Sequence, residues 1–325
     1  MKKTSHATPA VTRESSRLPT SLHKSTGVVT LFASQPRAAA PPVPTKQRPM
    51  IISASELRTW LRCRVQHAWR YQLKLVPREG KEALGIGILV HELLEAWYTV
   101  PFAKRSVKAM VAIVTKRLQE TIPQDLDIES VDLVRAMAVG YAKWALVDDA
   151  TIGLRECIPE KWFEEPLTPD GSIIVRGKVD NIFTPTNLKH TLASQETKTA
   201  AQIKTDHIDL MLQISVYLWA MRRMFPKYRR YQTHFTVLRK QMPGPRVTAP
   251  LFAREVIERS DDEIEQWATD TQHACRDMIG AAIYPNPMDS CSWSCDFKVP
   301  CLLRGNQSDL THVLTTQYQT KEYTK

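Results

Sequence analysis

Fifteen residues separate Asp180 from an E-x-K triplet formed by Glu196 and Lys198, and these three side chains carry the clearest chemical potential in the sequence. Asp180 falls in the β-type stretch 173–183, and the triplet falls in a strand predicted at about 190–199, after a turn. Because side chains at i and i+2 of a strand share a face, we expect Glu196 and Lys198 to project together toward Asp180.

Two carboxylates a few ångströms apart repel each other unless a cation lies between them, and hard oxygen ligands suit Mg²⁺ or Mn²⁺. A lysine beside them can hold or help deprotonate a water, or neutralise charge that develops on a phosphate. Together these groups predict metal-assisted hydrolysis of a phosphodiester. The alternative interpretation is an ordinary ion pair between Glu196 and Lys198 on a solvated strand edge.

Two helical patterns add candidate residues to this site. His91 follows Gly87 by four residues on a mostly apolar helix, where a histidine is either a ligand or a hydrogen-bonded core residue. Gln213 and Tyr217 lie one turn apart on a helix predicted at about 205–224. Taken alone, that pair is ordinary helix surface.

In chain order these elements read Gly-x-x-x-His, Gly-x-x-Asp, Glu-x-Lys and Gln-x-x-x-Tyr, and they resemble the RecB-like branch of the PD-(D/E)XK nuclease superfamily over about residues 51–305. The resemblance implies a restriction-endonuclease-like α/β fold, with a central mixed sheet flanked by helices. It further implies that Asp180 and Glu196 are metal ligands, that Lys198 is the catalytic lysine and that His91 is an additional metal ligand.

The same resemblance gives Gln213 and Tyr217 a role in supporting the active-site helix or in contacting DNA. Members of this family often carry another acid before the strand that holds the aspartate. Glu160, Glu164 and Glu165 are all candidates for it, and the sequence leaves the choice among them open.

Six cysteines in 325 residues do not make a disulfide framework, but Cys291, Cys295 and Cys301 are close together in a proline-punctuated loop. Cys63, near the start of the ordered region, is the candidate for a fourth metal ligand. Zinc and iron–sulfur clusters both accept four thiolates, and one remote cysteine with three clustered ones is unusual for zinc.

The cysteine arrangement resembles the iron–sulfur subset of RecB-like nucleases, which includes AddB-type helicase–nuclease subunits and exonucleases associated with CRISPR adaptation and with phages. It implies a [4Fe–4S] cluster bound by Cys63 and by the C-terminal Cys-rich loop, with zinc as the alternative. The cluster would tie that loop to the N-terminal helices. Such a cluster would act as a structural staple. Cys157 and Cys275 are interpreted as buried or structural residues.

The net charge of +10 is concentrated at one end of the chain. Residues 1–48 hold eight of the 44 Lys and Arg residues and one of the 34 acids, and their Pro- and Ser/Thr-rich composition predicts a disordered basic tail, with an organellar transit peptide as the alternative. The rest is nearly neutral, so composition is weak evidence for nucleic-acid binding. We predict a nuclease domain at 49–305 and a polar tail at 306–325.

Helix-period and strand-period patterns alternate after the basic tail. Helices are predicted at about 51–75 with Ser53 or Ser55 as the N-cap, from Gly85 to Pro101, over 104–149 with a break at Pro123, and at 261–280. Further strands are predicted at 233–239 and 252–258. No apolar run approaches the roughly 18 residues that a membrane-spanning helix needs, and free thiols favour a reducing, cytoplasmic compartment.

The predicted function is that of a Mg²⁺- or Mn²⁺-dependent DNA exonuclease acting on single strands or DNA ends, in recombination, repair or phage DNA processing. The alternative is a non-catalytic DNA-binding or assembly subunit on the same scaffold. Arg62 and Arg64, beside Cys63, are candidates for binding the DNA backbone, unless they lie on a solvated helix face. A helicase, a recombinase or a CRISPR adaptation protein is the expected protein partner.

Overall fold

The computed structural model describes residues 48–79, 82–120 and 126–321, which all fall within one compact unit, Pro42–Lys325. The predicted disordered tail at 1–48 lies almost wholly outside the described residues. The predicted helix break at Pro123 lies outside them as well.

Helices and strands alternate along the described chain. The strands are β1 (Met50–Ser53), β2 (Leu75–Pro77), β3 (Cys157–Pro166), β4 (Ile173–Phe183), β5 (Thr191–Ala200), β6 (Arg230–Arg239), β7 (Phe252–Glu258) and β8 (Tyr318–Thr320). The α-helices are α1 (Ala54–Arg62), α2 (Arg64–His67), α3 (Glu82–Thr99), α4 (Val107–Glu120), α5 (Ile128–Thr151), α6 (Leu212–Met224), α7 (Asp261–Met278), α8 (Cys291–Ser294), α9 (Lys298–Leu302) and α10 (Gln307–Gln317). A π-helical turn spans Ala68–Gln72, and 3₁₀ turns span Phe102–Lys104 and Ile208–Leu210.

Six strands form one mixed sheet that is organised around β4. One edge of β4 pairs with β3 in antiparallel fashion along almost its whole length. The other edge pairs with β1 in parallel at the start of β4 and with β5 in antiparallel fashion at its end. β6 continues the sheet parallel to β5, and β7 ends it antiparallel to β6. β2 and β8 form a separate antiparallel pair.

Helices cover both faces of this sheet. On one face α1, α6 and α7 bury an apolar cluster, to which they contribute Leu57, Ile214 and Ile264 respectively. On the other face α3, α4 and α5 bury a second cluster, with Leu93 and Met110 among its members. This arrangement confirms the predicted α/β fold with a mixed sheet between helices. No helix among the described residues has both the length and the apolar character that crossing a bilayer requires.

Two helices begin at the residues that the sequence predicts. Ser53 is the N-cap of α1, because its Oγ accepts the backbone N–H of Glu56 at 3.2 Å. Ser260 opens α7 with a capping box, in which its side chain and that of Glu263 bond to each other's backbone N–H groups. Each such cap satisfies helix N–H groups that have no intrahelical acceptor, and contributes about 1 kcal/mol.

The segment predicted as a polar tail at 306–325 is folded through Lys321, which corrects that prediction. α10 buries Leu310, Val313 and Leu314 on one side, and β8 pairs with β2 near the other end of the described chain. The polar composition of the segment hid these few apolar residues at helical spacing.

The sequence patterns missed β2 and β8, and they also missed two strands of the six-stranded sheet, β1 and β3. β1 has only four residues, and β3 has charged and exposed residues at positions where a strand of the sheet interior would be apolar. Both strands gain their stability from long-range pairing with β4, which local patterns do not report.

Candidate active site

Asp180 lies at a break in the hydrogen-bond ladder along one edge of β4. On that edge β1 pairs as far as Arg176, and β5 begins to pair at Asn181. Among the described residues, 177–180 therefore have no strand partner on that side, although β3 continues along the opposite edge. The break opens the sheet at the residue that the sequence predicts as a metal ligand.

Gly177, the glycine of the Gly-x-x-Asp pattern, is required by packing across the β3–β4 ribbon. A Cβ atom at this position would lie 2.5 Å from the Phe163 ring. Only glycine therefore allows Phe163 to pack over the strand next to Asp180.

The E-x-K triplet meets Asp180 at this break. The backbone N–H of Thr197 donates to Asp180 Oδ2 at 2.9 Å. Glu196 is 1% exposed, and one of its carboxylate oxygens pairs with the Lys198 ammonium, which is itself partly exposed. The structure thus brings together the three predicted residues Asp180, Glu196 and Lys198.

His91 approaches the same carboxylate from α3. Its Nδ1 atom lies 3.5 Å from Asp180 Oδ2. One ligand atom each from His91, Asp180 and Glu160 lie within 4.8 Å of one another, which is close enough for a single metal ion.

Glu160 is the upstream acid that the structure brings to the site, whereas Glu164 and Glu165 lie near arginines elsewhere. The pairs that flank it in the β3–β4 register place Glu160 opposite Asp180. Its φ of 51° lies in the left-handed region, which costs a residue other than glycine of order 1–3 kcal/mol. Strained backbone of this kind is concentrated at functional sites in proteins.

His91, Glu160 and Asp180 line a small cavity of about 10 Å³ between α3 and the sheet. A cavity of this size is comparable to the space taken by one water molecule. Its lining residues are His91, Leu94, Glu95, Tyr98, Glu160, Asp180, Asn181, Gln195 and Thr197.

Burial disfavours the charged forms of Glu196, Asp180 and His91. It raises the pKa of Glu196 to about 7, and the neighbouring charge of Asp180 adds to the rise. Burial also raises the pKa of Asp180, although the Lys198 charge acts in the opposite direction. The pKa of His91 is lowered, again chiefly by burial. A cation placed among these groups would offset the cost of burying two carboxylates.

The donor set fits a divalent cation. Glu160 and Asp180 supply hard oxygen atoms and His91 supplies an imidazole nitrogen, a combination that suits Mn²⁺ and is compatible with Mg²⁺. Glu196 adds a buried carboxylate for which Lys198 is the ion-pair partner among the described residues.

The sequence was also compared with protein families. The model of the PD-(D/E)XK nuclease superfamily matches residues 51–302, which is most of the chain. The chain belongs to the PD-(D/E)XK nuclease superfamily. The letters of the name can be read in the sequence at Asp180 and at Glu196-x-Lys198, with Val179 where the name has proline.

Among solved structures, the chain is similar to the crystal structure of a candidate exonuclease from Eubacterium rectale. The two share 12% sequence identity with a TM-score of 0.45, over 75% of this chain and 88% of that chain. The comparison with curated proteins gave no match.

Gln213 and Tyr217 connect α6 to the unpaired edge of β4 in this PD-(D/E)XK protein. The Gln213 side-chain amide donates to Tyr217 Oη at 2.6 Å, and Tyr217 donates to the Lys178 carbonyl at 2.8 Å. Burial, together with the nearby charges of Glu196 and Asp180, raises the pKa of the Tyr217 hydroxyl. This geometry favours a supporting role for the pair.

A buried polar network behind the site went unnoticed in the sequence. The side-chain amide of Gln195 donates to Tyr98 Oη at 3.1 Å and to Tyr141 Oη at 2.9 Å. Arg254 Nη1 reaches Asp149 Oδ1 at 3.1 Å in the same network. Because Gln195 immediately precedes Glu196, the network fixes the strand that carries the E-x-K triplet. No spacing pattern links these residues, so the sequence alone gives no signal for them.

The four cysteines proposed as cluster ligands lie in one region, away from the small cavity. Burial raises the pKa of Cys295 and of Cys301, and the other cysteines of the set contribute to both shifts. Among the described residues, however, no three thiols come as close to one another as a single metal ion requires. The geometry therefore gives no direct support for an iron–sulfur or zinc site at Cys63, Cys291, Cys295 and Cys301.

Arg62 and Arg64 are engaged with the chain's own C-terminal segment. Arg62 donates to the hydroxyls of Ser290 and Ser294, and the amide of Asn286 donates to the Arg62 carbonyl at 3.1 Å. The Arg64 guanidinium lies 4.9 Å from the Trp60 ring centre and 4.7 Å from that of Tyr284. Neither arginine lines the cavity at His91.

Proposed function

We propose that this chain is a divalent-metal-dependent DNA exonuclease that hydrolyses phosphodiester bonds in single-stranded DNA or at DNA ends. The observation that carries the proposal is the convergence of His91, Glu160 and Asp180 around one small cavity, with the ion-paired Glu196 and Lys198 beside it on β5. Membership of the nuclease superfamily supports nuclease activity.

In this proposal His91, Glu160 and Asp180 would hold Mg²⁺ or Mn²⁺, and Glu196 would be a further carboxylate ligand. A bound ion of this kind polarises the scissile phosphate and stabilises charge on the leaving oxygen. The backbone N–H of Thr197 donates to Asp180 Oδ2 and so orients the carboxylate for this role.

Lys198 is the proposed catalytic lysine. Its ammonium group pairs with the buried carboxylate of Glu196 and is partly exposed, so it can hydrogen-bond an incoming water. Water then attacks phosphorus and loses a proton to the solvent, the bond from phosphorus to the leaving sugar oxygen breaks, and that oxygen takes up a proton from the solvent. Removing such a donor costs other enzymes about 10²–10³ in rate.

We also propose that Cys63, Cys291, Cys295 and Cys301 bind a [4Fe–4S] cluster, with zinc as the alternative. A cluster with four irons takes one thiolate at each iron, so its thiolates need not converge on a single ion. The contacts of Arg62 with Ser290 and Ser294 support the proposal, since they join the end of α1, next to Cys63, to the Cys-rich segment. Anaerobic purification, absorption near about 400 nm and metal analysis test it; a colourless protein with stoichiometric zinc would contradict it.

The second candidate is a non-catalytic DNA-binding or assembly subunit, and the helicase, recombinase or CRISPR adaptation partners proposed above apply to either. Digestion of end-labelled single-stranded DNA with Mg²⁺ or Mn²⁺, and with EDTA instead, separates the two candidates. We expect metal-dependent release of product by the wild type and by Lys116→Ala, which changes an exposed lysine on α4. Lys198→Ala and Asp180→Ala are expected to be inactive. DNA binding without product in any metal would favour the second candidate.

A further inference from the structure

Trp162 is a large aromatic side chain left on the protein surface close to the candidate active site. It is 62% exposed, and it lies on β3 two residues after Glu160. Its neighbour Phe163 faces the other way and is buried over Gly177. That packing fixes the backbone of the strand, so the exposed ring has a rigid base.

One ammonium group connects the ring to the site. Lys178 is the partner of Trp162 across the β3–β4 ladder, and its Nζ atom lies 5.7 Å from the ring centre. The same Nζ pairs with the carboxylate of Glu160. A cation within about 6 Å of an aromatic ring attracts it, so Lys178 holds the indole at a set distance from Glu160.

Two cations lie beside the ring, each of them paired with a glutamate. Arg176 lies two residues before Lys178 on β4, so both side chains project from the same face of the strand. Glu164 pairs with Arg176 and partly offsets its charge. A strand of DNA that reaches the site along this face would pass a cation, an aromatic ring and then the candidate metal ligands.

The chemistry of the ring selects the kind of DNA. Stacking on an aromatic side chain needs an open base face, and in a duplex each internal base already has both faces stacked. An unpaired base offers such a face whatever its identity, which makes stacking tolerant of sequence. An exposed tryptophan at this place therefore matches a single strand.

We propose that Trp162 is the stacking platform for an unpaired base of the DNA strand that enters the active site, with Lys178 over the other face of the ring. This inference rests on the proposed nuclease function and narrows its substrate to single-stranded DNA or a frayed end. It assigns Trp162 to substrate binding; the hydrolytic step belongs to the residues around Asp180.

Binding is measured in the Asp180→Asn background, in which the DNA stays intact. A labelled single-stranded oligonucleotide and a blunt hairpin are the probes. We expect Trp162→Ala to weaken binding of the single strand about five- to a hundredfold, because stacking is worth about 1–3 kcal/mol per base. Trp162→Phe should lose less, and the hairpin should bind with little change. Val256→Ala, which trims another exposed apolar side chain on the opposite edge strand, is the matched control and should bind as tightly as its parent.

A scan of the oligonucleotide with abasic sites tests stacking directly. One abasic position should weaken binding by the protein with Trp162 intact, and should cause no further loss in Trp162→Ala. Equal affinities for Trp162→Ala and its parent, or independent losses from the abasic site and the substitution, would overturn the inference. If Trp162→Ala unfolds, the same scan is made on Trp162→Phe. We then expect the abasic site to weaken binding less than it does in the parent, and an equal loss of binding would contradict the inference.

The cleavage assay on the wild type keeps this test separate from the proposed function. If the wild type digests single-stranded DNA while the abasic scan shows no link to Trp162, the platform alone is wrong. If the wild type digests no DNA with Mg²⁺ or Mn²⁺, the nuclease proposal fails.

Discussion

The backbone N–H of Thr197 hydrogen-bonds to Asp180 Oδ2 at 2.9 Å, at the point where β4 and β5 separate. This single bond replaces the ladder pairing that the two strands lose beyond Asn181. It fixes one oxygen of Asp180 and leaves the carboxylate facing His91 and Glu160.

Replacing Asp180 by asparagine separates its structural role from its chemical one. Asp180→Asn keeps an oxygen that can accept the Thr197 N–H but removes a charge that burial disfavours, so we expect thermal stability no lower than that of the wild type and loss of activity by more than about a hundredfold. Asp180→Ala loses the acceptor as well and should be about 1 kcal/mol less stable than Asp180→Asn. Thermal unfolding without metal, together with digestion of labelled DNA, measures both effects. Digestion by Asp180→Asn at the wild-type rate would remove this residue from the site.

Glu196→Gln should stabilise the metal-free protein while abolishing its activity. The folded pKa of Glu196 is raised to about 7 from 4.5, so its contribution to stability falls as the pH rises from 4.5 through 7. At pH 8 with EDTA we therefore expect the free energy of unfolding of the variant to exceed that of the wild type by about 1–3 kcal/mol. The difference should vanish near pH 5.

Adding Mn²⁺ provides the control for that comparison. The ion should stabilise the wild type more than Glu196→Gln, because the variant has lost one carboxylate. Identical unfolding curves for the two proteins at pH 8 in EDTA would show that the Glu196 charge is already compensated without metal.

Tyr217→Phe distinguishes support of the sheet from contact with DNA. Tyr217 is 4% exposed and donates to the Lys178 carbonyl, so the variant leaves that buried acceptor without its donor and should lose about 1–3 kcal/mol of stability. DNA affinity should change little, because the hydroxyl is not at the surface.

Tyr231→Phe is the matched control, since Tyr231 also donates to backbone carbonyls but lies away from the site. It should lower stability without lowering activity, whereas Tyr217→Phe should lower both. A large loss of DNA affinity in Tyr217→Phe, without loss of stability, would assign that residue to DNA contact instead.

His234 gives the protein an acid-sensitive core. The side chain is 2% exposed, and burial lowers its pKa to about 3 from 6.5. The unfolded chain therefore binds a proton that the folded protein excludes, so stability falls as the pH drops below 6.5. At pH 5 this costs about 2 kcal/mol relative to pH 7.

His234→Gln should remove that part of the pH dependence, because glutamine does not titrate. Urea unfolding at pH 5 and pH 7 measures it, and His207→Gln, at an exposed position, should keep the wild-type difference. If His234→Gln loses as much stability as the wild type between the two pH values, the acid sensitivity has another source.

The residues of the candidate site could be named from the sequence because their spacing follows strand and helix geometry. The i, i+2 rule placed Glu196 and Lys198 on one face, and β4 and β7 coincide with the predicted strands at 173–183 and 252–258. Where a strand begins and ends depends largely on the local sequence, which a hydrophobic pattern reports.

The choice of Glu160 over Glu164 or Glu165 could not be made in this way. It depends on the register of β3 against β4 and on a left-handed residue within a strand, neither of which a local pattern encodes. The buried network around Gln195 depends on contacts between residues far apart in the chain. Long-range packing of this kind overrides local propensity.

The left-handed backbone at Glu160 has a consequence for how copies of this protein meet. β3 borders the sheet, and a regular border strand offers a row of free N–H and C=O groups to which another chain can add. Glu160, with its left-handed backbone in the middle of the strand, and the charged Lys161 after it interrupt that row. Beside the carboxylates, this border strand is therefore a poorer template for pairing with a second chain than a regular strand would be.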